Sequence, residues 1–200
     1  EINWNAVAVS DLQNRGVFYN AGTNGEGITV TFGDSVTEIP AWLFYTEEGS
    51  PYRAAKVTSV TIGENVMSIG SFAFEGCNTM TSITIPDSVT NIGNGAFWRC
   101  SGLTSITIPN RVTSIGDWVF RGCSGLTSVT IPDSVTSIGD YAFSGCSGLT
   151  SVIIPDSVTS IGDEAFSSCD NITSATMPTI AIDYIPQDNL QTVVLASGDG

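Results

Sequence analysis

The residues whose type and spacing first suggest chemistry are five cysteines, each 23 residues from the next: Cys77, Cys100, Cys123, Cys146 and Cys169. Disulfides or a metal site would be one use for them. The sequence, however, has no C-x-x-C pair and no histidine, which removes the usual zinc-binding patterns. Equal spacing in a repeat sets parallel Cβ atoms ~4.8 Å apart, beyond the usual disulfide distance. The sequence therefore predicts a ladder of reduced, buried thiols, with no metal and no cofactor.

The absence of histidine also limits catalysis, because Ser-His-Asp and Cys-His nucleophile systems both need that residue. Carboxylate pairs one repeat apart remain: Asp133 with Asp156, and Asp140 with Asp163. Two carboxylates this close can bind a cation or share a proton. An active site, however, needs unlike groups that converge, whereas identical units give ladders of like residues. We therefore expect structural carboxylates, no catalytic residue and no enzyme activity.

The balance of charge narrows the class of partner. Twenty acidic residues against six basic ones give a net charge of −14, and a phosphate backbone or an anionic leaflet would repel such a surface. No apolar run reaches the ~18 to 20 residues that span a bilayer. We expect no nucleic acid partner and no membrane insertion in this segment, while the sequence indicates no oligomeric state.

An internal repeat of 23 residues organises the chain, and its cleanest copy is LTSVTIPDSVTSIGDYAFSGCSG, residues 126–148. Units start near residues 27, 57, 80, 103, 126, 149, 172 and 190, and the first carries the insertion TEEGSPYRAA at 46–55. Residues 27–200 are predicted to form a solenoid, and 1–26 an N-terminal cap or diverged first coil, since solenoid ends need covering. Because a unit has only begun at residue 190, we expect the native protein to continue further.

Each unit carries the signals of one coil. The pattern LxxIxI alternates apolar residues with Ser or Thr, which predicts a half-buried strand with Ile106 inward and Thr107 outward. A proline such as Pro109 ends the strand, and an aspartate before Ala-Phe suits the N-cap of a short helical turn. Those aspartates are Asp117, Asp140 and Asp163. A glycine at a predicted tight corner comes before the turn: Gly70, Gly93, Gly116, Gly139 and Gly162.

Stacking of the coils defines the predicted fold. One unit is too short to bury its own apolar face, so neighbouring coils stack strand beside strand. The phenylalanines then form one buried spine: Phe74, Phe97, Phe120, Phe143 and Phe166. The predicted fold class is a repeat solenoid with a parallel sheet on one face and short helical or 3₁₀ turns on the other.

The first candidate binding site lies where near-identical units differ, since folding does not dictate those residues. Two such columns are Phe72, Gly95, Trp118, Tyr141, Glu164 and Glu75, Trp98, Arg121, Ser144, Ser167. Aromatic residues and arginine are enriched at interface hot spots. The sequence therefore favours a protein-binding patch made of Trp98, Arg99, Trp118, Arg121 and Tyr141. The alternative interpretation is a surface Trp–Arg pair that satisfies itself by a cation–π contact.

The second candidate site is the outward face of the sheet, a row of hydroxyl groups interrupted by one isoleucine: Ser82, Thr84, Ser105, Thr107, Ser128, Thr130 and Ile153. An exposed sheet prefers β-branched threonine by propensity alone. A solvated wall is therefore the alternative to a binding face. Ile153 stands where threonine is expected, which suggests a local apolar contact.

The repeat resembles that of the BspA-like leucine-rich repeat proteins of bacterial surfaces, which share its length, the run LTSITIPDSVTSIGxxAFxxC and the cysteine position. The resemblance covers about residues 27–195. It implies a secreted or cell-surface protein, its signal peptide absent from this segment, that adheres to host matrix, host cells or other microbes. It brings no catalytic residues. Two other functions stay open: a structural spacer that displays another domain, and a glycan-binding solenoid.

Overall fold

The computed structural model describes residues 2–4, 27–44 and 56–195, with the backbone alone described for 2–4. The predicted cap, apart from residues 2–4, and the insertion at 46–55 lie outside the described residues. The strands in chain order are β1 (Ile2–Trp4), β2 (Ile28–Phe32), β3 (Glu38–Ile39), β4 (Val57–Ile62), β5 (Ser68–Ile69), β6 (Ser82–Ile83), β7 (Asn91–Ile92), β8 (Ser105–Ile106), β9 (Ser114–Ile115), β10 (Ser128–Thr130), β11 (Ser137–Ile138), β12 (Ser151–Ile153), β13 (Ser160–Ile161), β14 (Ser174–Met177) and β15 (Thr192–Leu195).

The strands predicted from LxxIxI form one parallel ladder along the solenoid: β1, β2, β4, β6, β8, β10, β12, β14 and β15. Isolated bridges, Thr61 with Thr84 and Thr107 with Thr130, join the strands that are not otherwise paired. Val129 lies opposite Val152, one repeat on. Because the pairing offset equals the repeat from β4 to β14, each column of side chains stacks on itself there, and the predicted solenoid with a parallel sheet is confirmed.

A second set of short parallel strands was not predicted. It forms two three-stranded sheets, β3-β5-β7 and β9-β11-β13. Each strand has only two residues, such as Ser137 and Ile138, which pair with Ser160 and Ile161. Two residues cannot show the period-two alternation that identifies a strand in a sequence, so this ladder appears only when the coils are stacked.

Hydrogen-bonded turns occupy most of the places where short helical turns were expected. In the turn of residues 95–100, alternate N–H groups donate to the next coil and within the coil. The Trp98 N–H donates to the Gly95 carbonyl at 2.9 Å, and the Phe97 N–H donates to the Val119 carbonyl of the next coil, also at 2.9 Å. An α-helix directs successive N–H groups into its own segment, so this alternation prevents one from forming. Among the described residues the one helical segment is the 3₁₀ helix Thr179–Tyr184.

The phenylalanine spine lies at the centre of the core, as predicted. Consecutive rings from Phe74 to Phe166 lie 5.0–5.6 Å apart between centroids and within 19° of parallel. The spine starts one coil earlier than predicted, because the ring of Phe44 lies 5.7 Å from that of Phe74. Offset stacking of this kind adds to the area that each buried ring contributes, so the spine ties every coil to both neighbours.

The cysteines form the predicted ladder of free, buried thiols. The Cys123 thiol donates a hydrogen bond to the Phe97 carbonyl of the preceding coil, with an Sγ–O distance of 3.2 Å. The same bond recurs from Cys100, Cys146 and Cys169. Burial raises the pKa of Cys123 to about 12 and also raises the pKa of Cys77. The Cys77 and Cys123 thiols therefore stay protonated at neutral pH, and the protonated form is a poor nucleophile.

This burial predicts the outcome of a thiol titration. In native protein a water-soluble thiol reagent should react slowly with few groups, and after unfolding in denaturant it should react with all five cysteines. The denatured sample is the internal control for reagent capacity. Rapid labelling of native protein, or a disulfide in its mass spectrum, would contradict the buried ladder.

Candidate functional site: an aromatic and arginine strip

Two backbone positions in each turn adopt the left-handed conformation. At the first, φ lies between 52° and 64°: Trp42, Phe72, Gly95, Trp118, Tyr141 and Glu164. At the second, φ lies between 57° and 74°: Gly76, Arg99, Gly122, Gly145 and Ser168. This conformation suits glycine and costs other residues about 1–2 kcal/mol. Trp118, Tyr141 and Arg99 therefore occupy positions where the backbone favours glycine, and folding alone does not account for them.

The aromatic–arginine strip, defined as Trp98, Arg99, Trp118, Arg121 and Tyr141, runs across three successive coils. The Arg99 Cζ lies 4.9 Å from the centroid of the Trp98 ring. The Arg121 Cζ lies 5.6 Å from the Trp98 ring and 5.5 Å from the Tyr141 ring. Four of the five residues proposed from sequence thus form one connected set, in which the guanidinium groups lie over ring faces.

Trp118 lies in the same turn as Arg121, whose N–H donates to the Trp118 carbonyl at 3.0 Å. Its indole is half-buried. Within the part of the chain that the structure describes, it contacts no other ring and no guanidinium group. The structure therefore places Trp118 in the strip but outside its network of ring and guanidinium contacts.

Two further aromatic residues extend the strip toward the N-terminus. The rings of Trp42 and Phe72 stack at 4.2 Å with an interplanar angle of 16°, and Phe72 meets Trp98 at 5.8 Å. Sequence reasoning missed Trp42 because the insertion at 46–55 hides the register of its unit. Aligning the buried Phe44 with Phe74 sets Trp42 opposite Phe72 and would have found it.

The column that contains Trp98 and Arg121 is less exposed to solvent than the variation of its residues between repeat copies suggested. Glu75 and Ser144 in this column are only 8% and 9% exposed, and the Ser167 hydroxyl donates to the Ser144 hydroxyl oxygen at 2.9 Å. The variation between copies is therefore not simple freedom of an exposed surface. Arg121 is half-buried in the same column, so part of its side chain packs against the coil.

Glycine in the other column also reflects packing. A Cβ at Gly95 would clash with the ring of Phe72, which lies across that position from the preceding coil. Gly95 therefore suits both its left-handed backbone and its aromatic neighbour. The absence of a side chain there is coupled to the presence of Phe72, rather than being a free choice between copies.

The aspartates expected to cap helical turns bond between coils instead. The Asp140 N–H donates to Asp117 Oδ1 at 3.0 Å, and the Asp163 N–H donates to Asp140 Oδ1 at 2.9 Å. Asn94 starts the series by accepting from the Asp117 N–H at 3.2 Å. The capping prediction is wrong because no helix follows these residues. Their role is to satisfy an N–H group of the next coil.

The alternative face, the hydroxyl row with Ile153, is exposed along its whole length, as the alternation predicted. Within the described ranges its Ser and Thr hydroxyls bond to no protein group. A cleft of about 600 Å³ lies at one end, where Thr130, Ile153 and Thr176 meet the turn residues Asp133 and Asp156. The side chain of Ile153 is 49% exposed there, which makes this cleft the competing site.

Comparison with known proteins identifies the repeat. A family model for the BspA-type leucine-rich repeat region, in six copies, matches residues 48–173 and 120–194. The chain belongs to the BspA-type leucine-rich repeat family. The resemblance drawn from the sequence is therefore confirmed. Leucine-rich repeat modules generally serve protein interaction or form surface repeats, and most are not enzymes.

Two solved structures resemble this BspA-type chain. A leucine-rich repeat protein of T. pallidum is 25% identical with a TM-score of 0.57, covering 89% of this chain and 78% of the other. A leucine-rich repeat protein of Bacteroides ovatus is 23% identical with a TM-score of 0.50, covering 96% of this chain. The BspA-type chain spans 59% of the Bacteroides ovatus protein. These likenesses confirm the fold class, and no curated protein sequence matches the chain.

Two further properties of the described residues concern membrane crossing and metal binding. None of their helices has the length and apolar character needed to cross a bilayer. Nor do three or more Cys, Asp or Glu side chains gather among them in a way that would hold a metal ion.

Proposed function

We propose that this BspA-type module is a non-enzymatic recognition domain, secreted or displayed on a bacterial surface, that binds a protein ligand through the aromatic–arginine strip. Adhesion to host matrix, host cells or other microbes is the role we assign to it. In this proposal residues 27–200 form the solenoid, residues 1–26 cap it, and the coils between residues 80 and 148 contact the ligand.

The observation that carries this proposal is the left-handed backbone under bulky strip residues. Arg99, Trp118 and Tyr141 have φ values of 60°, 57° and 54°, where sister coils place Gly95, Gly122 or other residues. Side chains kept at such a cost tend to cluster at functional sites. Trp and Arg are also the types that dominate the energetics of protein interfaces.

The hydroxyl row gives weaker support for a binding site. Its threonines are what an exposed strand prefers, so scaffold requirements explain them without a ligand. Its one unexplained residue is Ile153, whereas in the strip Arg99, Trp118 and Tyr141 stand at left-handed positions, which the cation–π contacts alone do not explain. The strip is therefore the better candidate for the ligand-binding surface.

Replacing Arg99 by glycine should weaken ligand binding and leave the free energy of unfolding within about 1 kcal/mol, because relief of left-handed strain offsets the greater freedom of the unfolded chain. Trp98→Ala should weaken binding more, by about 2 kcal/mol or roughly 30-fold. Binding is measured on immobilised host matrix proteins and on intact host and bacterial cells. Thermal melts of the same samples report stability.

Ser168→Gly is the matched control, since Ser168 is exposed and has a φ of 57° at the equivalent position of another coil. Ser168→Gly should change the free energy of unfolding by about the same amount as Arg99→Gly, and it should leave ligand binding unchanged. Binding that survives Trp98→Ala but disappears when Thr107 and Thr130 are replaced by phenylalanine would move the site to the hydroxyl row. A longer native protein that binds equally well without its solenoid would make the solenoid a spacer.

A further inference from the structure

Arg121 is held between two aromatic rings that belong to the coils on either side of its own. Its Cζ is 5.6 Å from the centroid of Trp98 in the preceding coil and 5.5 Å from that of Tyr141 in the following coil. Cation–π contacts of this kind fix a guanidinium group without using its N–H donors. The rings therefore position the charge and leave its hydrogen-bonding capacity available.

The described residues do not use that hydrogen-bonding capacity. Within the residues that the structure describes, Arg121 forms no ion pair and its side chain donates no hydrogen bond. The chain nevertheless carries twenty acidic residues against six basic ones. A guanidinium has five donors and forms a strong, bidentate contact with a carboxylate. The pairing partner of Arg121 is thus expected on another molecule.

We propose that Arg121 is a carboxylate-recognition point, and that the strip binds an acidic segment of a partner protein. An Asp or Glu side chain of that segment pairs with the Arg121 guanidinium. A neighbouring apolar side chain of the same segment packs on Trp118, which lies at the other end of the same turn. This inference rests on the proposed function, because it names the ligand chemistry of the same strip.

Charge favours a carboxylate over a phosphate group. Arg99 and Arg121 bring two positive charges to the strip of a molecule whose net charge is −14. The overall negative field opposes a phosphate of ~−2 charge about twice as strongly as a single carboxylate. Because the same field opposes an acidic segment over the whole surface, the attraction has to come from the short-range contacts with Arg121 and Trp118.

Ring contacts favour a protein segment over an acidic glycan. A sugar ring stacks on an open aromatic face, but the Trp98 ring has two guanidinium groups over it and the Tyr141 ring has one. Trp42 and Phe72 cover each other at 4.2 Å. Trp118 is the one described strip residue whose ring has no ring or guanidinium contact, and it is half-buried, so it gives room for one apolar side chain but not for a chain of sugars.

The test uses an immobilised array of short peptides, each with one glutamate beside one leucine in a Ser/Gly background, and a matched array with glutamine for glutamate. The wild-type protein should retain the glutamate peptides at least ~10-fold more tightly. Arg121→Gln should abolish that preference. Arg111→Gln removes the same charge from an exposed position outside the strip and should keep it. The Arg121 Nε–H resonance should shift when the glutamate peptide is added.

Other outcomes overturn the inference. If the wild type binds both arrays equally and Trp98→Ala loses this binding, the strip is still the ligand-binding surface. Recognition of a carboxylate by Arg121 is then excluded. If Arg121→Gln and Arg111→Gln lose the preference for glutamate peptides equally, the preference depends on net charge and not on the position of Arg121. Preferential binding of a phosphopeptide array or a polyuronate would replace the acidic segment with that ligand. Absence of any preference for glutamate peptides in the wild type would also reject the inference.

Discussion

Replacing Phe120 by alanine should lower the free energy of unfolding by about 3–5 kcal/mol. The ring is fully buried and stacks between Phe97 at 5.6 Å and Phe143 at 5.2 Å. The neighbouring coils cannot close the resulting cavity, because the Phe120 N–H bonds to the Ala142 carbonyl at 2.8 Å and holds their spacing. Denaturant unfolding followed by circular dichroism measures the change.

Ser128→Ala is the control for the core substitution. Ser128 lies exposed on the outer face of the sheet, and surface changes away from special contacts are usually within about 0.5 kcal/mol. Equal destabilisation by the two substitutions would contradict the assignment of inward and outward positions. A change in the slope of the unfolding transition for Phe120→Ala would indicate that single coils unfold separately.

Gly139→Ala should cost roughly 3 kcal/mol, the upper end of the usual range for overpacking. A Cβ at Gly139 would lie 2.7 Å from the Asp117 backbone nitrogen and 2.7 Å from the Gly116 carbonyl carbon. Both are backbone atoms of the preceding coil, so no side-chain rotation relieves the contact. Moving the coils apart would also strain the bond from the Gly139 N–H to the Ile115 carbonyl, now 2.7 Å. Thermal melts of the variant measure the loss.

Gly145→Ala is the matched comparison, and it reverses the expectation from backbone angles. Gly145 has a φ of 73°, but the nearest backbone atoms to an added Cβ are those of Gly122, 3.7 Å away. The equivalent Ser168 shows that a side chain is accommodated there, so we expect a cost of only about 1 kcal/mol. A larger loss for Gly145→Ala than for Gly139→Ala would show that backbone angle, and not the distance between coils, requires these glycines.

Features that repeat within one unit were predictable from the sequence. Alternation around Ile106 identified the strand, and the fixed spacing of Phe120 and Cys123 from the strand identified the spine and the thiol ladder. Each of these depends on residue type at a fixed offset, and stacking at one repeat turns an offset into a column. The same reasoning placed Trp98 beside Arg121, because the two residues occupy the same column in successive coils.

Features that depend on contacts between coils were not predictable. The bond from Asp140 N–H to Asp117 Oδ1 and the close approach of Gly139 to the preceding backbone exist only after stacking. A single unit therefore suggests a helix cap and a tight corner instead. The left-handed angles at Arg99 and Trp118 were hidden for the same reason, since alternate N–H groups of the turn bond to the next coil. Burial in the column of Glu75 and Ser144 likewise depends on packing that variability does not reveal.

In-register pairing at one repeat has a consequence for how such genes change. When recombination adds or removes a whole 23-residue unit, pairs of the β-ladder such as Val129 opposite Val152 can form again in the same register. Only the number of coils changes. The strip behaves differently, because Arg121 meets Trp98 and Tyr141 only when three particular units follow one another in this order. Duplication elsewhere in the array therefore changes the number of coils, whereas shuffling of these three units breaks the contacts of Arg121, and the two properties can be inherited separately.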